Sequence, residues 1–500
     1  MKRCSWFIVG ALAFNVLGCA SSIVENGDYR APGLDPKYAR FIDEATRMTR
    51  DTMARSRIPG LSIVLASSKG IIWEAGFGYA DDARSIPVDP QTMFSIQSMS
   101  KTFTALGVLT AVRDKKLDLD SPISRYLPGF RVQSIFEDHP ENRITLRHLL
   151  THTAGFTHEA PRGNNYSPEE PSFDEHAASI EDTWLMFRVG ERYSYSNLGI
   201  DLAGYAVEKA TGRPFVDYMK EEVFQPLSLS RTTMDPAFIK SETNRATGHQ
   251  RGCKNLPVCV PMVGAGGVYT SAHDLGKLLT CMLQRGTSGA ASFLPAWAFT
   301  EMETTPNHGG YGLGIAIGRR EEDLYFNHGG GGYGFLSYMA WHPTLDIGVA
   351  VLTNSADHNS AHVALAEKLV DKLAASGLAR KAFSLPYLPV CGINLAGVKD
   401  DGWYFDAHPE KTAWKQEWSS YLGSYSLHFN ADPLWYAKLI MALGIPRSTY
   451  VKVSRQGRGM ALDGVALLEQ EPGLFFTKLG EALDFRSDPP TWRNIRLSRR

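Results

Sequence analysis

Five hundred residues, 43% of them hydrophobic, supply a large core and exceed one ordinary domain, so two domains are expected. A formal net charge of −1 removes the electrostatic basis for binding nucleic acid, and no nucleic-acid partner is expected. The four arginines between Arg493 and Arg500 read as a solvated tail.

The chain starts with Lys2 and Arg3, then a mostly apolar run from Trp6 to Leu17 that is too short to span a bilayer, the pattern of an export signal. The run ends in Val16-Leu17-Gly18-Cys19-Ala20, which resembles a bacterial lipoprotein cleavage site. That resemblance implies a signal peptide over residues 1–18 and acylation of Cys19. The mature protein would be lipid-anchored in the bacterial cell envelope, on its periplasmic side, its membrane contact made by buried methylenes. An ordinary secretory signal containing Cys19 is the alternative. Residues 19–35 are small, polar and Pro/Gly-bearing, as a tether requires. No other segment is long and apolar enough to span a membrane.

Leu61 to Ser67 and Ile71 to Tyr79 read as strands joined at Ser68-Lys69-Gly70. Met99, Phe103, Leu106, Leu109 and Val112 recur at helical spacing and predict a helix with an apolar stripe. Strand patterns return at Tyr311 to Ile317, Leu324 to Asn327, Phe335 to Trp341 and Ile347 to Thr353, before a helix from Ser360 to Ala375. Strands at both ends enclosing a helical middle predict an α+β domain over 36–375, an antiparallel sheet flanked by helices with a mostly helical second lobe. Residues 376–420 read as a linker. Residues 421–500 read as a small β-barrel-like domain with strands at Tyr421 to Leu427, Thr449 to Ser454, Val465 to Gln470, Leu474 to Leu479 and Ala482 to Phe485. The apolar stretch Leu434 to Ile445 reads as a helix packed on that barrel. Cys253 and Cys259 flank five residues and are candidates for a local disulfide; Cys281 and Cys391 read as buried thiols.

The chemistry concentrates at the start of the first long helix. Ser98 and Lys101 stand three apart and so project together. The helix start offers unpaired N–H groups and partial positive charge, which favour an oxyanion held near Ser98. A lysine desolvated there has a lowered pKa and can take the serine proton.

Tyr195-Ser196-Asn197 and His328-Gly329-Gly330-Gly331 follow in order. With Ser98-Met99-Ser100-Lys101 they resemble the three motifs of the serine β-lactamase and penicillin-binding-protein superfamily, in its class C-like branch. "ITLRHLLTHTAGF" (Ile144 to Phe156), "KLDLDSPISRYLP" (Lys116 to Pro128), "GAGGVYTSAHDL" (Gly264 to Leu275) and "YGLGI" (Tyr311 to Ile315) agree. The resemblance covers about residues 40 to 375 and implies a β-lactamase/transpeptidase-like fold. It also implies an acyl-enzyme on Ser98, with Lys101 and Tyr195 sharing the proton traffic, Tyr195 as a phenolate base favoured by the lysine. Asn197 would orient Lys101 and the substrate carbonyl, and His328 would tune charge near Tyr195. The oxyanion hole would be the N–H groups of Ser98 and Gly331, and Gly329 and Gly330 would let substrate lie against the strand. Tyr325-Phe326-Asn327 also fits the second motif and is assigned to the sheet.

Many relatives carry a threonine where this chain has Gly329, so carboxylate recognition by a hydroxyl is missing; Arg319 and Arg320 are the candidate substitutes. The histidine pairs His148/His152 and His358/His362 have helical spacing but no third ligand, so no metal site and no cofactor is expected. The leading reading is a serine hydrolase acting on a carboxylic ester, D-amino-acid peptide or β-lactam, a small-molecule or peptidoglycan-derived substrate. The alternative is a non-catalytic envelope lipoprotein that binds cell-wall fragments. The C-terminal part, with "YLGSY" and "EPGLFFTKLGEALDF", resembles the lipocalin-like domain of some relatives.

Overall fold

The structure is a computed structural model. It describes residues 29–30, 35–379, 415–428 and 450–499, apart from short stretches at 82, 84, 165–169, 252–255, 289–290, 305–309, 321–322, 457–458, 463–464, 478–481, 487–489 and 493–494. The signal, Cys19, most of the tether, Cys253, Cys391 and Leu434 to Ile445 lie outside the described residues. Cys259 and Cys281 are buried free thiols. Among the described residues no helix is long and apolar enough to cross a membrane.

The main sheet is antiparallel and joins the two ends of the catalytic-motif region. Its strands are β1 (Gly60–Ser67), β2 (Gly70–Asp81), β3 (Ala316–Arg320), β4 (Asp323–Gly332), β5 (Phe335–His342) and β6 (Ile347–Thr353). They are ordered β2-β1-β6-β5-β4-β3, with Tyr29–Arg30 added outside β2. Alternate side chains go to opposite faces, as the two-residue repeat of a strand demands. Leu61, Ile63, Leu65, Val349 and Val351 pack with the terminal helices α1 (Ala39–Ser56) and α5 (Ala361–Ala375). Val64, Ala66, Ala350 and Leu352 face the helical lobe instead. There, α4 (Ala272–Leu283) lies close against the sheet; a Cβ at Gly276 would meet Ile71 Cγ1 at 2.7 Å.

The motif helix α2 (Ser100–Arg113) differs from its expected form. Every residue from Ser100 to Ala111 is buried, and Val112 is half-buried, so it is the central helix of the lobe rather than an amphipathic one. Its hydroxyl groups are satisfied by backbone, which removes the cost of burying them. Thr102 Oγ1 donates to Gly314 O (2.9 Å), Thr104 Oγ1 donates to Gly264 O (2.7 Å), and Ser100 Oγ accepts from Val268 N (3.0 Å).

Two strand assignments shift. Tyr311 makes an isolated antiparallel bridge to Ala316, and the residues between turn: Gly312 N donates to Ile315 O (2.9 Å) and Gly314 has φ +66°, so the strand itself starts at Ala316. In the other direction, β4 runs on through the glycines to Gly332.

Beyond residue 415, eight strands close into a barrel around Trp418, Tyr425, Val451, Val453, Leu467, Phe475 and Leu497. The expected strands are joined by Gly459–Leu462, Thr491–Trp492 and Ile495–Arg499. The last of these corrects the solvated tail: Ile495–Arg499 pairs with Gly423–His428, with Leu497 fully buried and Arg499 donating to Leu422 O (2.8 Å). Its charge masked a strand of alternating pattern. Leu474 and Ala482 of the barrel pack with Ile135 and Trp184, and the Arg486 guanidinium sits 5.1 Å from the Trp184 ring centre.

Candidate active site

Ser98 is held by two elements of opposite character. The strand Phe94–Ser95 pairs with Tyr269–Thr270, and Ile96 N donates to Val268 O (3.1 Å), which anchors the approach. A 3₁₀ turn, Gln97–Met99, then leads into α2. Gln97 is buried with φ +50° and donates from Nε2 to Ser95 Oγ (2.9 Å). A left-handed non-glycine residue costs about 1–3 kcal/mol and persists only when its surroundings enforce it. Here it lifts Ser98 to a half-exposed position while Lys101, three residues on, is fully buried.

The Lys101 amine has three oxygen neighbours: Ser98 Oγ at 3.1 Å, Asn197 Oδ1 at 2.7 Å and Ala265 O at 2.9 Å. Burial brings its pKa down to about 7, against the attraction of Asp201 and Glu159. It is therefore an amine that releases its proton in the neutral range.

Asn197 and Tyr195 come from the start of α3 (Asn197–Thr211) and the residues before it. Ser196 caps the helix, accepting from Gly199 N (3.1 Å) and donating to Thr157 O (2.7 Å), and its N–H donates to His152 Nδ1 (3.1 Å). Asn197 Nδ2 donates to Glu159 Oε1 (2.7 Å), so its amide oxygen is the atom turned to Lys101. The Tyr195 ring centre lies 4.8 Å from Lys101 Nζ. Burial drives the Tyr195 pKa far above the ordinary tyrosine value. Burial thus opposes the expected phenolate and favours the protonated phenol.

His328 stands on β4, but its polar partner is Tyr311 rather than Tyr195. Nδ1 faces Gly329 O (2.6 Å), which only accepts, so Nδ1 carries the proton and Nε2 accepts from the Tyr311 hydroxyl (2.7 Å). Burial and the Lys101 charge bring its pKa to about 3, so it is neutral. Tyr311 is 6.5 Å from Tyr195 between ring centres.

The glycine strand closes the site from the other side. β3 pairs with β4 only as far as Asn327, so from His328 to Gly332 β4 is paired along one edge, by β5, among the described residues. A Cβ at Gly330 would sit 2.0 Å from Ile96 O, so only glycine lets this strand lie against the backbone leading to Ser98. That contact brings Gly329, Gly330 and the exposed Gly331 alongside the Ser98 turn.

The structure thus gathers Ser98, Lys101, Tyr195, Asn197, His328 and the glycines. It adds three residues to which the sequence gave no role in the chemistry. Tyr311 sat within an expected strand. His152, paired by spacing with His148, enters the site with its ring tilted against Tyr195 at 4.4 Å between centres, whereas His148 stays at its helix cap. Glu159 stands just past the motif-bearing stretch, among threonines and histidines that give it no distinguishing signal. Tyr325 stacks on His342 in the sheet (4.9 Å), as assigned. Arg320 is corrected: it pairs with Asp371 (2.8 Å) and Glu367 of α5, so it is not turned to substrate. Among the described residues no cluster is arranged to hold a metal ion.

Residues 45–374 match the Beta-lactamase family. The chain belongs to that family. Members of the Beta-lactamase family are serine hydrolases, some of them non-catalytic. The protein flp of Staphylococcus aureus (strain MW2) is 24% identical over 340 residues, 66% of this chain and 66% of that protein. Unguisins hydrolase ungD' of Aspergillus campestris (strain IBT 28561) is 27% identical over 373 residues, 68% of this chain and 65% of that one. The chain thus spans just under two thirds of these two relatives' lengths. Among solved structures, the octameric penicillin-binding protein homologue from Pyrococcus abyssi superposes with TM-score 0.58 at 21% identity, covering 90% of this chain and 95% of that one. A class C beta lactamase from Rhodobacter sphaeroides gives 0.56 at 22% identity, covering 66% and 99%. These likenesses show the β-lactamase/transpeptidase-like fold.

Proposed function

We propose that this chain is a serine hydrolase that cleaves an ester or amide through an acyl-enzyme on Ser98. The observation that carries the proposal is the fully buried Lys101 amine, 3.1 Å from Ser98 Oγ, with its pKa lowered to about 7. Neutral Lys101 takes the Ser98 proton as Oγ bonds to the substrate carbonyl carbon. The N–H groups of Ser98 and Gly331 receive the oxyanion. Collapse breaks the bond to the leaving group, which takes the Tyr195 proton; Lys101 then reprotonates Tyr195. Water repeats the sequence on the ester, with Ser98 as leaving group.

Within this class, esters and amides without a required carboxylate rank first. The hydroxyl missing at Gly329 and the engagement of Arg320 by α5 both support that ranking. One relative is named a hydrolase of unguisins, which supports hydrolysis as the activity. The proposal extends to export and lipid attachment at Cys19, on the strength of the N-terminal sequence. Labelling with a fluorophosphonate or penicillin probe, followed by mapping of the adduct, tests the reading. Label is expected on Ser98 and absent from Ser98→Ala. Label at another residue, or fragment binding without turnover that survives Ser98→Ala, overturns it.

A further inference from the structure

The Lys101 amine is a base toward Ser98 only if its lone pair, and not an N–H, points there. A neutral amine has two N–H groups and one lone pair. Two of its three neighbours, Asn197 Oδ1 and Ala265 O, are acceptors, and together they take both N–H groups. The lone pair is left for the Ser98 hydroxyl at 3.1 Å. The Ala265 carbonyl is fixed by the chain, whereas an asparagine amide has two ends and turns over readily. Were Asn197 reversed, its NH₂ would compete with Ser98 for the lone pair.

What prevents the reversal is Glu159, 7% exposed, whose Oε1 takes the Asn197 Nδ2 hydrogen at 2.7 Å and lies 3.0 Å from His158 Nδ1. The titratable groups facing the amine are Ser98 and Tyr195, Asp201 of α3, Glu159 and His152 of the 151–159 loop, and His328 of β4. His152 and His328 are held neutral by burial. Asp201 attracts the Lys101 charge too, ahead of Glu159, but its oxygens go to other partners than the Asn197 amide: Oδ1 accepts from Ala265 N (2.8 Å) and Oδ2 lies 3.1 Å from His176 Nε2. Glu159 is the anion linked to Lys101 through the very amide that orients it.

We propose that Glu159 is a positioning residue for acylation: it holds Asn197 with its oxygen toward Lys101, and its negative charge acts on the amine through that amide. This rests on the Ser98 acyl-enzyme reading. Opposite charge favours the ammonium, so removing it lets the amine stay neutral to lower pH.

The test is the pH dependence of the rate at which a fluorophosphonate phosphonylates Ser98 in the full chain, the serine oxygen displacing fluoride from phosphorus. Wild type is expected to show an acid limb governed by Lys101. In Glu159→Gln, which keeps an acceptor but no charge, the limb moves down by about one pH unit. In Glu159→Leu, which releases the amide, the plateau rate falls by about 10²-fold. In Glu159→Asp, which keeps the charge, the limb stays where it is in wild type. An unmoved limb in Glu159→Gln overturns the proposal. Should that variant not fold, a displaced limb in Glu159→Asp overturns it instead. A wild-type chain that takes no label on Ser98 defeats the acyl-enzyme reading itself, a result separate from either.

Discussion

Lys101 illustrates how a single residue trades stability for chemistry. In the unfolded chain its amine has a pKa of 10.5, and in the fold burial lowers it to about 7. Between those values the unfolded state binds the extra proton, so stability rises with pH; the cost is fully present below about 7 and gone above 10.5. Lys101→Met removes this titration. The unfolding free energy of wild type minus that of Lys101→Met is therefore expected to grow by about 2–3 kcal/mol from pH 7 to pH 9. Urea titrations at the two pH values measure it, and a difference that stays flat refutes a buried, proton-releasing amine. Lys101 was readable in advance because its neighbour in spacing, Ser98, is also its neighbour in space. Glu159 was not: nothing in its own neighbourhood tells that Asn197, far along the chain, will meet it.

At the scale of elements, the glycine strand is the part most exposed to single substitutions. Gly330→Ala places a methyl 2.0 Å from Ile96 O, and the neighbour is backbone that cannot swing aside. The strand must withdraw, carrying Gly331 with it. Acylation is expected to slow by about 10²-fold, with a stability loss of about 1–3 kcal/mol. Probe-labelling rates and denaturation midpoints check both; wild-type labelling would mean that Gly331 plays no part. β1, β2, β5 and β6 were legible because their apolar runs are long and bounded by turns. The segment from Tyr311 was misread because its apolar residues alternate with glycines that suit a turn as well as a strand, and only packing against α2 decides. Ile495–Arg499 was misread because barrel closure, a long-range pairing, leaves no local mark beyond alternation.

Across the whole molecule, the barrel core is separate from the two cores on either face of the main sheet. The barrel core contains no residue of the main sheet, and the barrel meets the rest of the chain through the small cluster at Ile135, Trp184, Leu474 and Ala482. Trp184→Ala removes the ring beneath Arg486 and part of that apolar contact. A loss of about 1–2 kcal/mol in barrel stability is expected, seen as an earlier first step in urea unfolding, while Ser98 still takes the probe. Simultaneous loss of labelling would show that the barrel holds the catalytic loop in place. The Beta-lactamase match ends at residue 374, consistent with a hydrolase core to which the barrel is appended.

On one side of Ser98 the strand from Gly329 to Gly332 offers backbone without side chains; on the other stands the ring of Tyr195, with His158 stacked on it and the buried His152 behind it. A substituent that leans on the glycine side meets only backbone. On the acyl-enzyme reading, discrimination among substrates is expected on the Tyr195 side, where the side chains stand, and His158 is the first position at which to alter it.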